Sequence, residues 1–255
     1  MKKINTYYEN YKLNKLNKLN KNDANHHQVF LFSLPRSGST FLSRILNNHS
    51  LISSPPETWL LLFYFHLLNK ENLTYPIGLN TCYIAALTFL SQHENYLSTQ
   101  INLHIKMLLK PKINFIKYFY NDINLQNDLI KKLIVFTFNS HITKENKKIF
   151  IDKTPRNYIL LNYIDKYFKE NKKIYLRRNP EDIASSYKCT WNIPISELIG
   201  ETKTSVNSRD FSEGLVSLEE YFISKKKLNH LIVNYEDLIK DNTKTIKQIC
   251  EFLSV

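Results

Sequence analysis

The sequence has 255 residues, of which 43% are hydrophobic, and this length and apolar content suit a single domain with a sizeable core. The 35 Lys and Arg residues outnumber the 23 Asp and Glu residues, and the resulting formal net charge of +12 favours anionic ligands or partners. Cys82, Cys189 and Cys250 are widely spaced and include no Cys-x-x-Cys pair. The pattern therefore supports neither a zinc knuckle nor a disulfide framework.

The first 27 residues are predicted to be a flexible or loosely ordered tail, followed by a single domain at 28–255. Lys-Leu-Asn occurs three times within 12–20, and a period of three gives a helix no lasting apolar stripe. The basic start lacks the apolar core of a signal peptide, and the longest apolar run, Trp59 to Leu68, is about half as long as a membrane span. We expect a soluble, cytoplasmic protein without stable membrane insertion.

Strand and helix patterns alternate along the rest of the chain. Apolar runs bounded by turn residues predict strands at 29–34, 51–54, 149–152, 173–177 and 230–235. Helical patterns occur at 40–48, over most of 58–148, at 155–168, from Pro180 onward, at 215–228 and at 243–253, whereas 192–214 is loop-rich. This order predicts an α/β fold of three layers, with a mostly parallel central sheet flanked by helices. Ligands of such sheets bind beyond the carboxyl ends of the strands.

A polar turn, 35–40, lies between the first predicted strand and the first predicted helix. The N–H groups at a helix start lack internal partners, and the helix dipole adds positive charge, so such a turn favours anion binding. Gly38 allows a tight turn, and Arg36 supplies a permanent cation. The hydroxyl groups of the turn belong to Ser37, Ser39 and Thr40. The turn lacks the lysine of a Walker A loop, and an ordinary turn capped by Ser37 or Ser39 is the alternative.

An arginine and a serine indicate a second anion site after the fourth predicted strand. Arg178 stands at the strand end, and Ser186 follows eight positions later on the helix that begins near Pro180. An arginine and a hydroxyl can hold one phosphate with charge-assisted hydrogen bonds. In the alternative interpretation, Arg178 is a surface residue paired with Glu181 or Asp182.

Together these segments resemble the sulfotransferases that use 3′-phosphoadenosine 5′-phosphosulfate (PAPS). The turn Pro-Arg-Ser-Gly-Ser-Thr is similar to the family's 5′-phosphosulfate loop, Arg178 and Ser186 to its 3′-phosphate motif, and Tyr-Glu-Asp-Leu at 235–238 to a later family signature. The layout is closest to bacterial and tyrosylprotein-type sulfotransferases. The resemblance implies a P-loop-like fold and metal-independent, in-line transfer of a sulfuryl group from PAPS to an acceptor hydroxyl or amine of a carbohydrate, phenol or small molecule, with 3′-phosphoadenosine 5′-phosphate (PAP) as product.

The resemblance also implies roles for Glu57 and Lys153. Glu57 matches a glutamate proposed as catalytic base, and a positioned carboxylate can take the acceptor's proton. Capping of the next helix is the alternative role, and His49 and His104 are weaker candidates for the base. Lys153, in a Lys-Thr-Pro element, is expected to stabilise the departing phosphate together with Arg36 and the loop amides.

Two other functions remain open from the sequence. A P-loop small-molecule kinase would need magnesium ligands and an ATP loop, and the sequence displays neither pattern. A non-catalytic nucleic-acid-binding protein would use the net charge of +12, but the basic residues are spread along the chain instead of clustering with exposed aromatics. The acceptor pocket is expected to be built from 58–148 and 192–214, and neither the acceptor nor the oligomeric state is specified.

Overall fold

The computed structural model describes residues 27–68, 86, 88–89, 123–199, 205–224 and 229–255. Its strands are β1 (His27–Phe32), β2 (Ile52–Ser53), β3 (Ile149–Asp152), β4 (Lys173–Arg177) and β5 (His230–Asn234). Its helices before β4 are α1 (Ser39–Asn47), α2 (Leu60–Leu68), α3 (Ile123–Lys144), a 3₁₀ helix (Pro155–Leu160) and α4 (Leu161–Tyr167). Those after β4 are α5 (Pro180–Trp191), α6 (Ile195–Ile199), α7 (Val206–Arg209), a π-helical turn (Asp210–Gly214), α8 (Leu215–Ser224), α9 (Tyr235–Lys240) and α10 (Asn242–Leu253).

The described strands form one parallel sheet in the order β2-β3-β1-β4-β5. Each strand is followed by at least one helix, as parallel pairing requires, because a crossover must return the chain to the same end of the sheet. The order places β1 at the centre, between β3 and β4. The segments that follow these three strands therefore meet at one edge of the sheet.

Alternate side chains of the strands supply the cores on the two faces of the sheet. Phe30 and Phe32 belong to a cluster that contains residues of α2, α3, α4 and α5. Val29 and Leu31 belong to a second cluster with residues of α1, α9 and α10. Helices thus cover both faces of the sheet, which confirms the predicted three-layer α/β architecture.

Several sequence predictions fall partly or wholly outside the described residues. Outside the described residues lie 1–26 of the predicted tail, the central part of 58–148, Cys82 and His104. The last residue of the predicted tail, His27, is the first residue of β1. Cys189 and Cys250 are free thiols. No helix within the described ranges is long and apolar enough to span a membrane.

Candidate active site

A cleft of about 340 Å³ lies at the carboxyl edge of the sheet, and its size is within the range of small-molecule sites. Its walls come from the segments that follow all five strands. The lining residues are Pro35, Arg36, Gly38, Ser39, Thr40, Glu57, Trp59, Pro155, Arg156, Arg178, Ser186, Trp191 and Tyr235. The structure therefore brings together most of the site residues predicted from separate parts of the sequence.

The turn after β1 has the backbone of an anion-binding loop. Gly38 has φ of 87° and occupies the N-cap position of α1, where no side chain caps the helix and no acidic residue stands in the first turn. A Cβ at this position would overlap the ring of Tyr235, so the close approach also requires glycine. Ser39 and Thr40 line the cleft, whereas Ser37 is buried and does not. The first N–H groups of α1 are thus left for a ligand.

Arg178 lies directly after β4 and packs against the turn. Its Nη1 donates a hydrogen bond to the backbone oxygen of Arg36 at 2.8 Å, and its guanidinium stacks 4.4 Å from the centroid of the Tyr235 ring. The Nε of Arg178 is buried and has no acceptor among the described residues. This guanidinium therefore has hydrogen-bonding capacity that the described protein does not use. The alternative surface pairing with Glu181 or Asp182 is not observed in the described part of the chain, where Arg178 contacts the turn and the Tyr235 ring.

The side chain of Arg36 reaches across to helix α5. Its Nε donates to Ser186 Oγ at 3.1 Å, and its Nη2 donates to Thr190 Oγ1 at 2.9 Å. The guanidinium also lies 5.2 Å from the ring centroid of Trp191. The two predicted anion sites are consequently in direct contact, and Thr190 and Trp191 join them although sequence reasoning had not selected either residue.

Lys153 and Glu57 meet where the segments after β3 and β2 converge. Lys153 Nζ lies 3.3 Å from Glu57 Oε1 and 3.4 Å from Thr40 Oγ1. The lysine side chain is 3% exposed and that of Glu57 is 35% exposed. The ammonium is therefore buried, whereas the carboxylate faces the cleft. The hydrogen bond of the Glu57 carboxylate is to Lys153, whereas the N–H of Leu60 at the start of α2 donates to Thr58 Oγ1 at 3.3 Å.

A buried carboxylate connects the two segments that carry Glu57 and Lys153. Asp152 accepts hydrogen bonds from Thr58 Oγ1 at 3.0 Å and from Asn157 Nδ2 at 2.7 Å. Thr154 Oγ1 contacts the same carboxylate and accepts from the N–H of Trp59 at 3.3 Å. These bonds fix the segment after β2 to the segment after β3. Sequence reasoning had treated Asp152 only as the last residue of a strand.

Burial raises the pKa of Asp152 to about 6, because desolvation outweighs the hydrogen bonds and the positive charge of Lys153. The folded state therefore favours the protonated form. The stabilisation from this proton is complete below the ordinary pKa of 3.8 and is lost as the pH rises through about 6. At about 1.4 kcal/mol for each pKa unit, the change is about 3 kcal/mol.

Asp152→Asn should remove this pH dependence. Urea unfolding between pH 3 and pH 7 is expected to show the free energy of unfolding of the wild type falling by about 3 kcal/mol relative to the variant. The substitution is tolerable because Asn157 Oδ1 has no partner among the described residues and can accept from the new amide after a flip. Asp128→Asn, on the exposed surface of α3, controls for the loss of one carboxylate. A difference that stays constant with pH would refute the assignment.

Arg156 reaches the cleft from the 3₁₀ helix and is held by a buried acid. Its Nε and Nη2 donate to both oxygens of Asp210, with a shortest distance of 2.6 Å. The hydroxyls of Tyr158 and Tyr187 also donate to Asp210, at 2.6 and 3.3 Å. Burial alone lowers the pKa of Arg156, but the charge and hydrogen bonds of Asp210 raise it overall. The network fastens the π-helical turn to the 3₁₀ helix and α5.

The remaining candidates have contacts away from the reacting groups. His49 Nδ1 accepts from the N–H of Leu51 at 3.2 Å in the turn after α1, and His49 does not line the cleft. Its packing role is therefore the better interpretation. Tyr235, the first residue of the Tyr-Glu-Asp-Leu signature, lines the cleft between Gly38 and Arg178. Among the described residues, no group of three His, Cys, Asp or Glu side chains is placed to bind a metal ion.

Comparisons with known proteins agree with this geometry. Residues 28–255 match the model of the sulfotransferase family Sulfotransfer_3. The chain is 24% identical over 233 residues to the nodulation protein NoeE of Sinorhizobium fredii (strain NBRC 101917 / NGR234). That alignment covers 86% of this chain and 48% of NoeE, so the chain spans about half of the length of that protein.

Two solved structures share the fold. The sulfotransferase domain from the Synechococcus PCC 7002 olefin synthase has a TM-score of 0.59 and 22% identity, and the match covers 91% of this chain and 74% of that one. The sulfotransferase domain from the curacin biosynthetic pathway has a TM-score of 0.57 and 22% identity, with 90% and 74% covered. These matches confirm the P-loop-like α/β fold. At 22% identity they support no conclusion beyond the fold.

Proposed function

The chain belongs to the sulfotransferase family, and from that premise we propose that it transfers a sulfuryl group from PAPS to an acceptor hydroxyl or amine. One observation carries the proposal. Two anion-binding segments, each at the end of a parallel strand, open into the same cleft as the contact between Lys153 and Glu57. A nucleotide with phosphate groups at both its 3′ and 5′ positions has the two separate anions that such a cleft suits.

The nucleotide is proposed to lie across the turn after β1. The N–H groups at the start of α1 and the hydroxyls of Ser39 and Thr40 would hold its 5′-phosphosulfate. Arg178 and Ser186 would hold its 3′-phosphate through charge-assisted hydrogen bonds. The ring of Tyr235 supplies an aromatic wall between the two sites.

Glu57 is proposed to accept the proton of the acceptor, and Lys153 to stabilise the negative charge of the leaving group. PAPS would supply the sulfuryl group, whose bond to the bridging oxygen breaks as the acceptor forms a bond to sulfur. Glu57 accepts the proton of the acceptor, and Lys153 donates a hydrogen bond to the bridging oxygen, which keeps the electron pair. In-line transfer places the acceptor oxygen and the bridging oxygen on opposite sides of sulfur, so Glu57 would face the acceptor and Lys153 the bridging oxygen.

The direct test is incubation with ³⁵S-labelled PAPS and a panel of acceptors: 2-naphthol, a tyrosine peptide, a methyl glycoside and an alkylamine. We expect PAP and one labelled product to form in equal amounts. Unlabelled PAP should inhibit the reaction, whereas ATP at the same concentration should not. Failure to bind PAP and to transfer label to any acceptor would refute the proposal, and retention on immobilised ATP would favour a kinase.

A further inference from the structure

We propose that Arg156 binds the acceptor, and that it favours an uncharged acceptor with a second oxygen, such as a diol or a sugar, over an anionic one. Its Nη1 donates a hydrogen bond to that second oxygen, while Glu57 faces the hydroxyl that reacts. The inference rests on the proposed function and deepens it, because it assigns a part of the cleft outside the nucleotide site and names the class of acceptor.

The first support is that Arg156 and the proposed base come from the same side of the sheet. The strand order puts the segments after β2 and β3 on one side of the central strand β1 and those after β4 and β5 on the other. Glu57 and Trp59 follow β2, and Arg156 follows β3. Arg178, at the proposed 3′-phosphate site, follows β4. Thr154 Oγ1 accepts from the N–H of Trp59 at 3.3 Å, which joins the segments after β2 and β3 into one wall of the cleft.

The second support is a donor that Arg156 leaves unused. Its Nε and Nη2 donate to Asp210, with a shortest distance of 2.6 Å, and its Nη2 also donates to Asn207 Oδ1 at 3.4 Å. Its Nη1 has no acceptor among the described residues, and the side chain, which is 15% exposed, lines the cleft. Asp210 is 1% exposed and also accepts from Tyr158 and Tyr187. The guanidinium is therefore held in place before an acceptor binds, which favours recognition of one oxygen.

The third support is the charge around this donor. Asp210 only accepts hydrogen bonds, as an ionised carboxylate does, so its charge offsets that of Arg156. Arg36 and Arg178 form no ion pair with a carboxylate of the described part of the chain, and their charges are left for the phosphates of the nucleotide. An anionic group beside Arg156 would meet the charges of Asp210, Glu57 and the bound donor. An uncharged oxygen accepts from Nη1 without this repulsion.

The fourth support is an apolar surface beside the base. Trp59 lines the cleft two positions after Glu57 and has φ of 57°, in the left-handed region that residues other than glycine rarely adopt. The surrounding structure maintains this conformation, since the N–H of Trp59 is bound by Thr154 and its backbone oxygen accepts from the N–H of Phe63 at 2.9 Å. Pro155 extends the apolar surface. A base, an apolar wall and a single fixed donor suit a saturated ring that carries hydroxyl groups.

Cyclohexanol and the 1,2-, 1,3- and 1,4-cyclohexanediols test the assignment, because they share one apolar ring and differ in the second oxygen. Transfer from ³⁵S-labelled PAPS would give kcat/KM per hydroxyl for each compound. We expect the wild type to prefer the best diol over cyclohexanol by about tenfold or more, the usual effect of one hydrogen bond to a charged group. The hydroxycyclohexanecarboxylate with the same substitution pattern as that diol should react more slowly than the diol.

Arg156→Lys keeps a positive charge beside Asp210 but loses the planar fork that serves both the carboxylate and the cleft. It should lower the preference for the diol by threefold or more and leave the dissociation constant of PAP, measured by isothermal titration calorimetry, within threefold of wild type. Arg177→Lys is the matched control. Arg177 also donates to a carboxylate that accepts from a tyrosine, that of Glu219, but it does not line the cleft. Its substitution should leave both quantities within threefold of wild type.

The outcomes separate this inference from the proposed function. If circular dichroism shows that Arg156→Lys is unfolded, Arg156→Gln combined with Asp210→Asn replaces it under the same thresholds, because the pair of substitutions leaves no unpaired charge. A wild-type preference below threefold overturns the inference, as does a change of less than threefold in the variant or a reaction of the hydroxy acid faster than that of the diol. Weakening of PAP binding by threefold or more would place Arg156 at the nucleotide and also overturn it. If the wild type binds no PAP, the proposed function itself is wrong.

Discussion

Lys153→Ala is expected to lower the rate of sulfuryl transfer by about 10²–10³-fold, the usual cost of removing one donor that stabilises a developing oxyanion. The ammonium is 3% exposed and is held between Glu57 and Thr40, so it needs little reorganisation when charge develops on the bridging oxygen. Single-turnover transfer from labelled PAPS to the best acceptor of the panel would measure the loss. The affinity for PAPS should fall much less, because the bridging oxygen of the bound donor has not yet gained the charge that Lys153 stabilises in the transition state.

Lys173→Ala is a matched control for this experiment. Lys173 is also buried, at 2% exposure, but its Nζ donates to backbone oxygens of Phe168, Lys169 and Asn171 at the start of β4, away from the cleft. Its substitution should lower stability and leave the transfer rate per folded molecule nearly unchanged. A Lys153→Ala rate within threefold of wild type would show that Lys153 is not the cation of the reaction.

Asp210→Asn should destabilise the protein by about 3–5 kcal/mol, because it leaves the half-buried Arg156 without its counter-charge. The same carboxylate accepts from Tyr158 and Tyr187, so the substitution also weakens two further hydrogen bonds. Urea denaturation followed by circular dichroism would measure the change.

Glu219→Gln provides the comparison, since Glu219 accepts from an arginine and a tyrosine in the same way. Arg177 Nε lies 2.9 Å and Tyr175 Oη 2.8 Å from Glu219 Oε1, but Arg177 is 47% exposed and Glu219 24% exposed. Solvent screening reduces such a pair to about 0–1 kcal/mol. Equal losses in Asp210→Asn and Glu219→Gln would show that burial does not determine the strength of the Arg156 network.

The strands could be predicted because each one is a local pattern. The bounds of β3 and β4 agree with the expected 149–152 and 173–177. β1 was expected at 29–34 but ends at Phe32, because the chain leaves the sheet before Pro35 to form the turn. The last strand was expected to reach Tyr235, whose aromatic side chain favours strands, but this residue instead begins α9, a helix that was not predicted.

The set of residues that form the site could also be predicted, because each follows a predicted strand and the carboxyl ends of parallel strands meet at one edge of the sheet. The direction of individual side chains could not. The bond from Arg36 to Ser186 spans 150 positions and depends on a left-handed backbone angle that the sequence does not reveal. Asp210 lies in the segment judged loop-rich, 54 positions from Arg156, and no local pattern connects these residues.

The chain contains two tryptophans, and both line the cleft. Intrinsic fluorescence excited at the red edge of absorption, where only indole absorbs, would therefore report on this cleft in the unlabelled protein. Trp191 is 43% exposed and adjoins the Arg36 guanidinium, whereas Trp59 is 6% exposed and follows Glu57 by two positions. Emission from Trp59 should lie at shorter wavelength than emission from Trp191. Trp191→Phe and Trp59→Phe would then give two optical reporters, one for nucleotide binding and one for events beside the proposed base.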